Sequence, residues 1–272
     1  MSYFGFGSAP VEEIPSIPVS KKPICPNTFN MDKAMENIPA DMNGSLDVKM
    51  AELKAFLSSP ESEWESFLDA KGVKGLRKFQ EGQDLAVIRS ETVMPFHIVD
   101  VFEFINNVKS APVLDPMVNH SQVLKRFSPH SWVGCVTLHG QWPVISPREF
   151  VNFYHWRMLE DGSILYFDFS EKFDDLKPEN DDAVRGWDSV YGYMLRPTED
   201  GTGTDVQMIF DSTPRGELPS VLLNQAMLNQ PTSLSIMRDE LTKLRDAGNA
   251  RDVTLPARYE DFLGAVSKNA AL

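Results

Sequence analysis

Residues 140–151 read GQWPVISPREFV, which divides into an apolar loop and the start of a strand. The loop contains Trp142 and two prolines, and proline interrupts regular structure. The residues from Phe150 onward alternate in the manner of a β-strand. Tryptophan favours places where one edge is apolar and the other wet, so this loop is predicted to pack on the protein's own core or to contact something apolar.

Strand-like runs lie on both sides of this loop, and helical periodicity appears towards the two ends of the chain. Asp161-Gly162 marks a hairpin turn, and Pro231 is predicted to kink the last long helix. One antiparallel sheet with a covering helix, an α+β domain, is therefore expected. The strands are predicted over 76–81, 85–93, 118–127, 132–141, 150–159, 164–169, 187–195 and 206–210, and the helices over 46–68 in two pieces, 96–108, 219–245 and 257–268.

Composition restricts the class of protein. The 272 residues include 26 Lys plus Arg and 39 Asp plus Glu, a net charge of −13, which argues against a nucleic-acid binder because such proteins need a basic surface. No run approaches 18 apolar residues, and the first residues lack a signal peptide, so a cytoplasmic protein is expected. Cys25 and Cys135 form no CxxC pair, which excludes a cysteine-based structural zinc site and favours a reducing compartment.

Three motifs occur in an order that resembles the START (StAR-related lipid transfer) domain family. SPREFV at 146–151, GYMLRP at 192–197 and PRGELP at 214–219 are similar to that family's S-P-R-[DE]-F-V run, its G-x-x-[IL]-x-P strand end and its P-[KR]-G-x-[IL]-P entry to the last helix. The resemblance spans roughly residues 48–246. It implies a helix-grip fold, in which a curved antiparallel β-sheet wraps around a long C-terminal helix and leaves an internal tunnel for one lipid.

Composition and the resemblance together predict a division of the chain, and the resemblance implies a function. A flexible proline-rich arm is expected at 1–45, a START-like lipid-binding domain at 46–246 and a C-terminal extension at 247–272. The implied function is lipid binding and transfer between membranes through transient contact, with phospholipid slightly favoured over sterol and with neither cofactor nor enzymatic activity. Two alternatives stay open: a lipid-sensing module whose arm contacts a protein partner, and a cyclase-type or hydrolase-type enzyme on the same scaffold.

The resemblance gives candidate site residues. Counting back without gaps from Arg148 places the family's two cavity-facing positions at Cys135 and Tyr154, where cholesterol-carrying relatives have Glu and Arg. The missing pair argues against cholesterol in that binding mode, while Tyr154 and Trp156 offer an aromatic surface to a choline-type headgroup. The predicted ligand-binding residues are Cys135, Thr137, His139, Tyr154, Trp156, Met158, Met208 and Phe210, and the predicted membrane-contact loop presents Trp142, Val144 and Ile145.

Catalytic and metal-binding patterns are not found in the sequence. Four histidines lie in the middle of the chain, but their spacing fits neither HExxH nor a His/Cys zinc pattern. The sequence contains no nucleophile elbow and no phosphate-binding glycine loop. The enzyme alternative therefore depends on His139 and His155, and strand alternation already points His155 away from Tyr154.

Overall fold

The computed structural model of the protein describes residues 38–140, 145–218 and 220–270. Within these ranges ten strands form one sheet, and every pairing is antiparallel except that of the short strand β8 with β6. The strands are β1 (Glu65–Ala70), β2 (Val73–Phe79), β3 (Ala86–Met94), β4 (Val118–Ser128), β5 (Ser131–Leu138), β6 (Arg148–Met158), β7 (Ile164–Ser170), β8 (Val184–Arg185), β9 (Trp187–Pro197) and β10 (Thr204–Thr213). Their order across the sheet is β1-β2-β3-β10-β9-β7-β6-β5-β4.

The helices lie on both faces of the sheet. They are α1 (Ala40–Ser58), α2 (Ile98–Asn106), α3 (Ala111–Leu114), α4 (Ser220–Met227), α5 (Thr232–Asp246) and α6 (Tyr259–Ala270). The inner face of the sheet packs against α2, α5 and α6, where Trp156 and Met208 meet Phe102, Met237 and Phe262. The outer face packs against α1, and its cluster includes Leu46, Leu53, Phe153 and Phe167. Successive residues of a strand point to opposite faces, so each central strand supplies both clusters.

This architecture confirms the expected α+β helix-grip arrangement. The hairpin turn at Asp161-Gly162 is also confirmed: Gly162 has φ 80°, a conformation that suits glycine, and its amide donates to the Leu159 carbonyl at 2.9 Å. Each predicted strand has a counterpart whose ends differ by a few residues. Helix α1 begins at Ala40, inside the predicted arm, and residues 1–37 lie outside the described residues.

The prediction of a second helical piece up to Leu68 is wrong. A single 3-10 turn follows Pro60, and residues 65–70 then form the edge strand β1. Trp64, Phe67 and Leu68 have helical spacing, but a register shift in β1 between Ser66 and Leu68 produces the same spacing in a strand.

The long C-terminal helix is two helices rather than one kinked helix. Hydrogen-bonded turns over 228–231 separate α4 from α5, and Pro231 occupies the N-cap position of α5. Proline has no N–H to continue the helical ladder, so it is tolerated at a helix start and breaks a helix interior. The short helix predicted over 257–268 is present as α6, and it lies in the core on the inner face.

Candidate functional site

A cavity of about 180 Å³ lies on the inner face of the sheet. Its floor is formed by two rows of side chains that the strand register aligns. The first row runs from Tyr154 through Asp168 and Tyr191 to Phe210 across β6, β7, β9 and β10. The second row is polar and contains Asn152, Asp188 and Ser212, and Ser170 lies in the same row but outside the cavity lining. The connection between α2 and α3 and the turn between α4 and α5 form the opposite wall, with Ile105, Val108, Leu114, Gln230 and Ser233.

Two aspartates meet at one amide on this floor. The Asn152 Nδ2 atom donates to Asp168 Oδ1 at 2.7 Å and to Asp188 Oδ2 at 2.6 Å. The Asn152 carbonyl oxygen in turn accepts from the Ser170 hydroxyl at 2.7 Å. Because an amide nitrogen carries two hydrogens, one Asn152 side chain can serve both carboxyl groups and hold them side by side.

Burial governs the protonation of this pair. It raises the pKa of Asp188 to about 6, although hydrogen bonds from Ser212 and Asn152 act in the opposite direction. Burial also raises the pKa of Asp168 well above its ordinary value, and the nearby negative charge of Asp188 raises it further. Two carboxyl groups in one apolar site do not both ionise readily, so ionisation of one opposes ionisation of the other.

Four tyrosines line the same cavity. The Tyr191 and Tyr193 hydroxyls lie 2.6 Å apart, and the Tyr154 ring stacks on Trp132 with a centroid distance of 5.3 Å. Burial raises the pKa of Tyr154 and of Tyr166 well above the ordinary value, so both hydroxyls stay protonated. The site therefore combines a carboxyl pair, neutral hydroxyls and aromatic rings.

A family model for the START domain matches residues 46–237, more than half of the chain. This chain belongs to the START domain family. The match begins within α1 and ends within α5, so that the last turns of α5 and all of α6 lie beyond it.

Relatives of this START domain include named lipid transfer proteins. The human protein "StAR-related lipid transfer protein 4" is 28% identical over 138 residues, 49% of this chain, and the chain spans 65% of that relative's length. The solved human StAR-related lipid transfer protein 5 superposes with a TM-score of 0.65 at 18% identity, over 75% of this chain and 99% of that one. The solved STAR-related lipid transfer protein of Xanthomonas axonopodis superposes with a TM-score of 0.58 at 26% identity. The match covers 66% of this chain and 99% of that one.

The predicted ligand-binding residues fall into three groups. Tyr154, Phe210 and Cys135 border the cavity. Trp156, Met158 and Met208 are buried in the inner cluster, where α2, α5 and α6 cover them. Thr137 and His139 lie apart from both groups, beside a surface depression that Gly140, Glu149 and Lys177 also line.

The strand register explains the positions of Cys135 and Thr137. Tyr154 pairs with Trp132, and Cys135 pairs with Val151, so the Cys135 side chain belongs to the outer cluster with Val133 and Phe153 although its atoms also border the cavity. Burial, assisted by the negative charge of Glu149, raises the pKa of the Cys135 thiol to about 11. A thiol of this kind packs as a small apolar group and is a poor nucleophile.

The predicted membrane-contact loop connects β5 to β6 beside the cavity. Leu138, the last residue of β5, and Phe150, near the start of β6, both line the cavity. Ile145 is half-buried, and its carbonyl oxygen lies close to Gly140. Trp142 and Val144 lie outside the described residues. Of the helices in the described part of the chain, none is long and apolar enough to cross a membrane.

The structure separates the two histidines on which the enzyme alternative depends. His139 is exposed, whereas His155 is fully buried. The His155 Nε2 atom accepts from Arg157 Nε at 3.0 Å, and its Nδ1 atom lies 2.7 Å from the Ser131 hydroxyl. Within residues 38–140, 145–218 and 220–270, no group of three or more His, Cys, Asp or Glu side chains is arranged to hold a metal ion.

Sequence reasoning missed Asp168 and Asp188, while strand alternation placed Asn152 on the face of Tyr154 without assigning it to the site. Asp168 lies in the strand Ile164–Ser170, whose residues are all buried, so a carboxyl group in an otherwise largely apolar run was the available indication. Asp188 is the second residue of β9, and an acidic residue near a strand end is usually exposed, so its burial was not indicated. Their proximity depends on pairing between strands that are distant in sequence, which alternation alone does not reveal.

Proposed function

We propose that this START domain binds one lipid molecule in the cavity between the sheet and the helices and carries it between membranes. The observation that supports this most directly is the cavity itself, which lies between the inner face and the helices in a chain of this family. The names of the relatives, StAR-related lipid transfer proteins, point to the same activity. A location in the cytoplasm stays a prediction from the sequence.

The need for a closed apolar cavity follows from the energetics of lipid transfer. A two-chain lipid with ~30 methylenes loses on the order of 24 kcal/mol on leaving a bilayer for water. Apolar walls such as Ile105, Val108 and Leu114 offset part of that loss, while the polar floor around Asn152 receives the headgroup. The loop that contains Trp142, Val144 and Ile145 would contact the membrane, and its movement with α3 would admit the lipid.

The test uses two neighbouring residues of α3. Leu114 lines the cavity, whereas Val113 is 44% exposed and faces away from it. Leu114→Trp adds a bulky ring to the cavity wall and should reduce the fraction of protein that copurifies with a lipid by about tenfold, equivalent to ~1.4 kcal/mol. Native mass spectrometry followed by lipid extraction measures this fraction.

Val113→Trp is the matched control, because it adds the same ring one residue away on the exposed side. It should leave the loaded fraction unchanged. Equal loading of Leu114→Trp, Val113→Trp and the unmodified protein would contradict the proposed function of this cavity.

A further inference from the structure

The cavity floor carries negative groups, and none of the described residues that line it is Lys, Arg or His. Asp168 and Asp188 share the two hydrogens of the Asn152 amide, and Asp115 lies at the opposite wall. Asp168 is 4% exposed and Asp188 is 6% exposed, so water contributes little to their solvation. A ligand that enters this cavity meets acceptor oxygens with no countercharge beside them.

Tyr166 provides a further polar group at this end of the cavity. Its side chain lines the cavity and is 5% exposed, and burial together with the negative charge of Asp168 raises the pKa of its hydroxyl. Tyr166 lies two residues before Asp168 on β7, so the two side chains point to the same face. A polar ligand atom beside Asp168 would therefore also lie near the Tyr166 hydroxyl and could form a hydrogen bond with it.

We infer that this end of the cavity receives a lipid headgroup that donates hydrogen bonds and carries no negative charge, an ammonium or a hydroxyl group, and that it rejects phosphate. This inference rests on the proposed lipid-binding function. Either group donates to the carboxyl oxygens of Asp168 and Asp188. An ammonium also donates to the Tyr166 hydroxyl oxygen, whereas a hydroxyl group can accept the Tyr166 hydrogen, and the surrounding tyrosine rings favour an ammonium further. A phosphate would place its charge against two carboxyl groups in a site of low dielectric constant. The choice differs from the slight preference for phospholipid that the sequence suggested.

Arg126 is the group that would favour the opposite choice. Its guanidinium carbon lies 4.8 Å from the centre of the Trp132 ring, and its buried Nη1 atom has no hydrogen-bond partner within the described part of the chain. The positive charge of Arg126 acts on Tyr166, but Arg126 does not line the cavity. A phosphate-bearing lipid would have to bind towards this residue, and such binding is one outcome of the test.

Three probes that share one alkyl chain and differ only in the headgroup test this inference. The full chain is titrated with octadecylamine, octadecanol and octadecyl phosphate, each delivered from cyclodextrin, and binding is followed by tryptophan fluorescence, since Trp132 stacks on the cavity residue Tyr154. The amine or the alcohol should bind at least about tenfold more tightly than the phosphate, a conservative value for a charge facing buried carboxylates. The order of amine and alcohol identifies which donor the site prefers.

Matched variants assign the preference to the carboxyl pair. Asp168→Asn and Asp188→Asn keep the side-chain shape and each replaces one ionisable carboxyl group of the pair with a neutral amide, so each should raise the affinity for octadecyl phosphate relative to octadecylamine by about tenfold. Asp205→Asn is the control, because Asp205 is a partly buried carboxyl group on β10 that pairs with Arg196 and lies outside the cavity lining. It should keep the original order of affinities.

The outcomes distinguish this inference from the proposed function. Tight binding of octadecyl phosphate by the unmodified protein overturns the inference while leaving lipid binding intact, and unchanged ratios in both Asp variants do the same. Failure of all three probes to bind overturns the proposed function as well. If the Asp variants do not fold, the order of the three probes on the unmodified protein still decides.

Discussion

At the scale of single residues, His130 shows how hydrogen bonds fix a tautomer. Its Nδ1 atom lies 3.0 Å from the Trp156 carbonyl oxygen, which can only accept, so Nδ1 carries the hydrogen. Its Nε2 atom lies 2.6 Å from the Tyr259 hydroxyl and therefore accepts. Burial lowers the pKa of His130 from 6.5 to about 4, and the neutral ring is the form that the folded protein stabilises.

His130→Gln is expected to reduce the loss of stability in acid. Because the folded-state pKa lies below the unfolded value, the unfolded chain binds the proton first, so stability is retained above about pH 6.5 and lost as the pH falls towards 4. Between these values the unmodified protein should lose up to ~3 kcal/mol more of its free energy of unfolding than the variant. Urea titrations over this range measure the difference between the two proteins. Asp168 and Asp188 change stability with pH in the opposite direction to His130, but they are present in both proteins, so their contributions cancel. Parallel losses in both proteins would contradict the assignment.

The same scale shows the limit of what the sequence predicts about the site. The sequence predicted strands β5 and β6 and placed Tyr154 at the cavity, but an ungapped count assigned Cys135 to the same face. The β5 residues that share this face with Tyr154 are Trp132 and Gly134, and Gly134 is one position before Cys135. Side chains alternate with a period of two, so a difference of one residue in the intervening loop reverses every assignment on a strand.

At the scale of elements, α6 is an unexpected part of the core. Phe262 packs edge-on against Phe102 of α2 at 5.2 Å and lies 6.1 Å from the Trp156 ring of the sheet. Lys268 pairs with Glu103, which ties the end of α6 to α2. This helix therefore covers the sheet residues Trp156 and Met158 and confines the cavity to the other end of the inner face.

Phe262→Ala should destabilise the protein by about 3–5 kcal/mol, because it removes a fully buried ring from the centre of this contact. Glu260→Ala on the exposed side of α6 is the control and should change the free energy of unfolding by less than about 0.5 kcal/mol. Thermal and urea unfolding of both variants provide the comparison. A cost for Phe262→Ala as small as that of the control would show that α6 is only loosely docked.

Elements were predictable where local chemistry decides them and not where tertiary contacts do. Asp161-Gly162 fixed its hairpin because a glycine with positive φ suits the turn. The residues around Phe67 and Leu68 became an edge strand because pairing with β2 overrides their helical spacing. The core position of α6 depends on contacts with α2, which lies more than 150 positions earlier in the chain and leaves no local trace.

At the scale of the whole molecule, the size of the cavity bears on how a lipid enters. Its volume of about 180 Å³ holds on the order of ten water molecules, since one water needs roughly 10–15 Å³ in this measure, and a two-chain lipid is larger than that. Protein interiors are close-packed, so acyl chains enter only if the helices move away from the sheet. The segment from Val108 to Leu114 is suited to move, because it consists of two short helical turns in which Ser110 alone is buried.

Membrane contact is therefore expected to loosen this wall selectively. In hydrogen exchange with phosphatidylcholine vesicles present, amides of residues 108–114 should exchange about tenfold faster, while those of β6 and β7 stay protected, since local opening costs less than disruption of central strands. Trp142→Asp combined with Ile145→Asp should abolish the vesicle effect without altering exchange in its absence, because charged side chains at the loop disfavour insertion into lipid. If vesicles accelerate amide exchange at residues 108–114 equally in this double variant, the loop has no part in the opening mechanism. If exchange accelerates uniformly across the sheet, the membrane unfolds the whole domain and does not open a local gate.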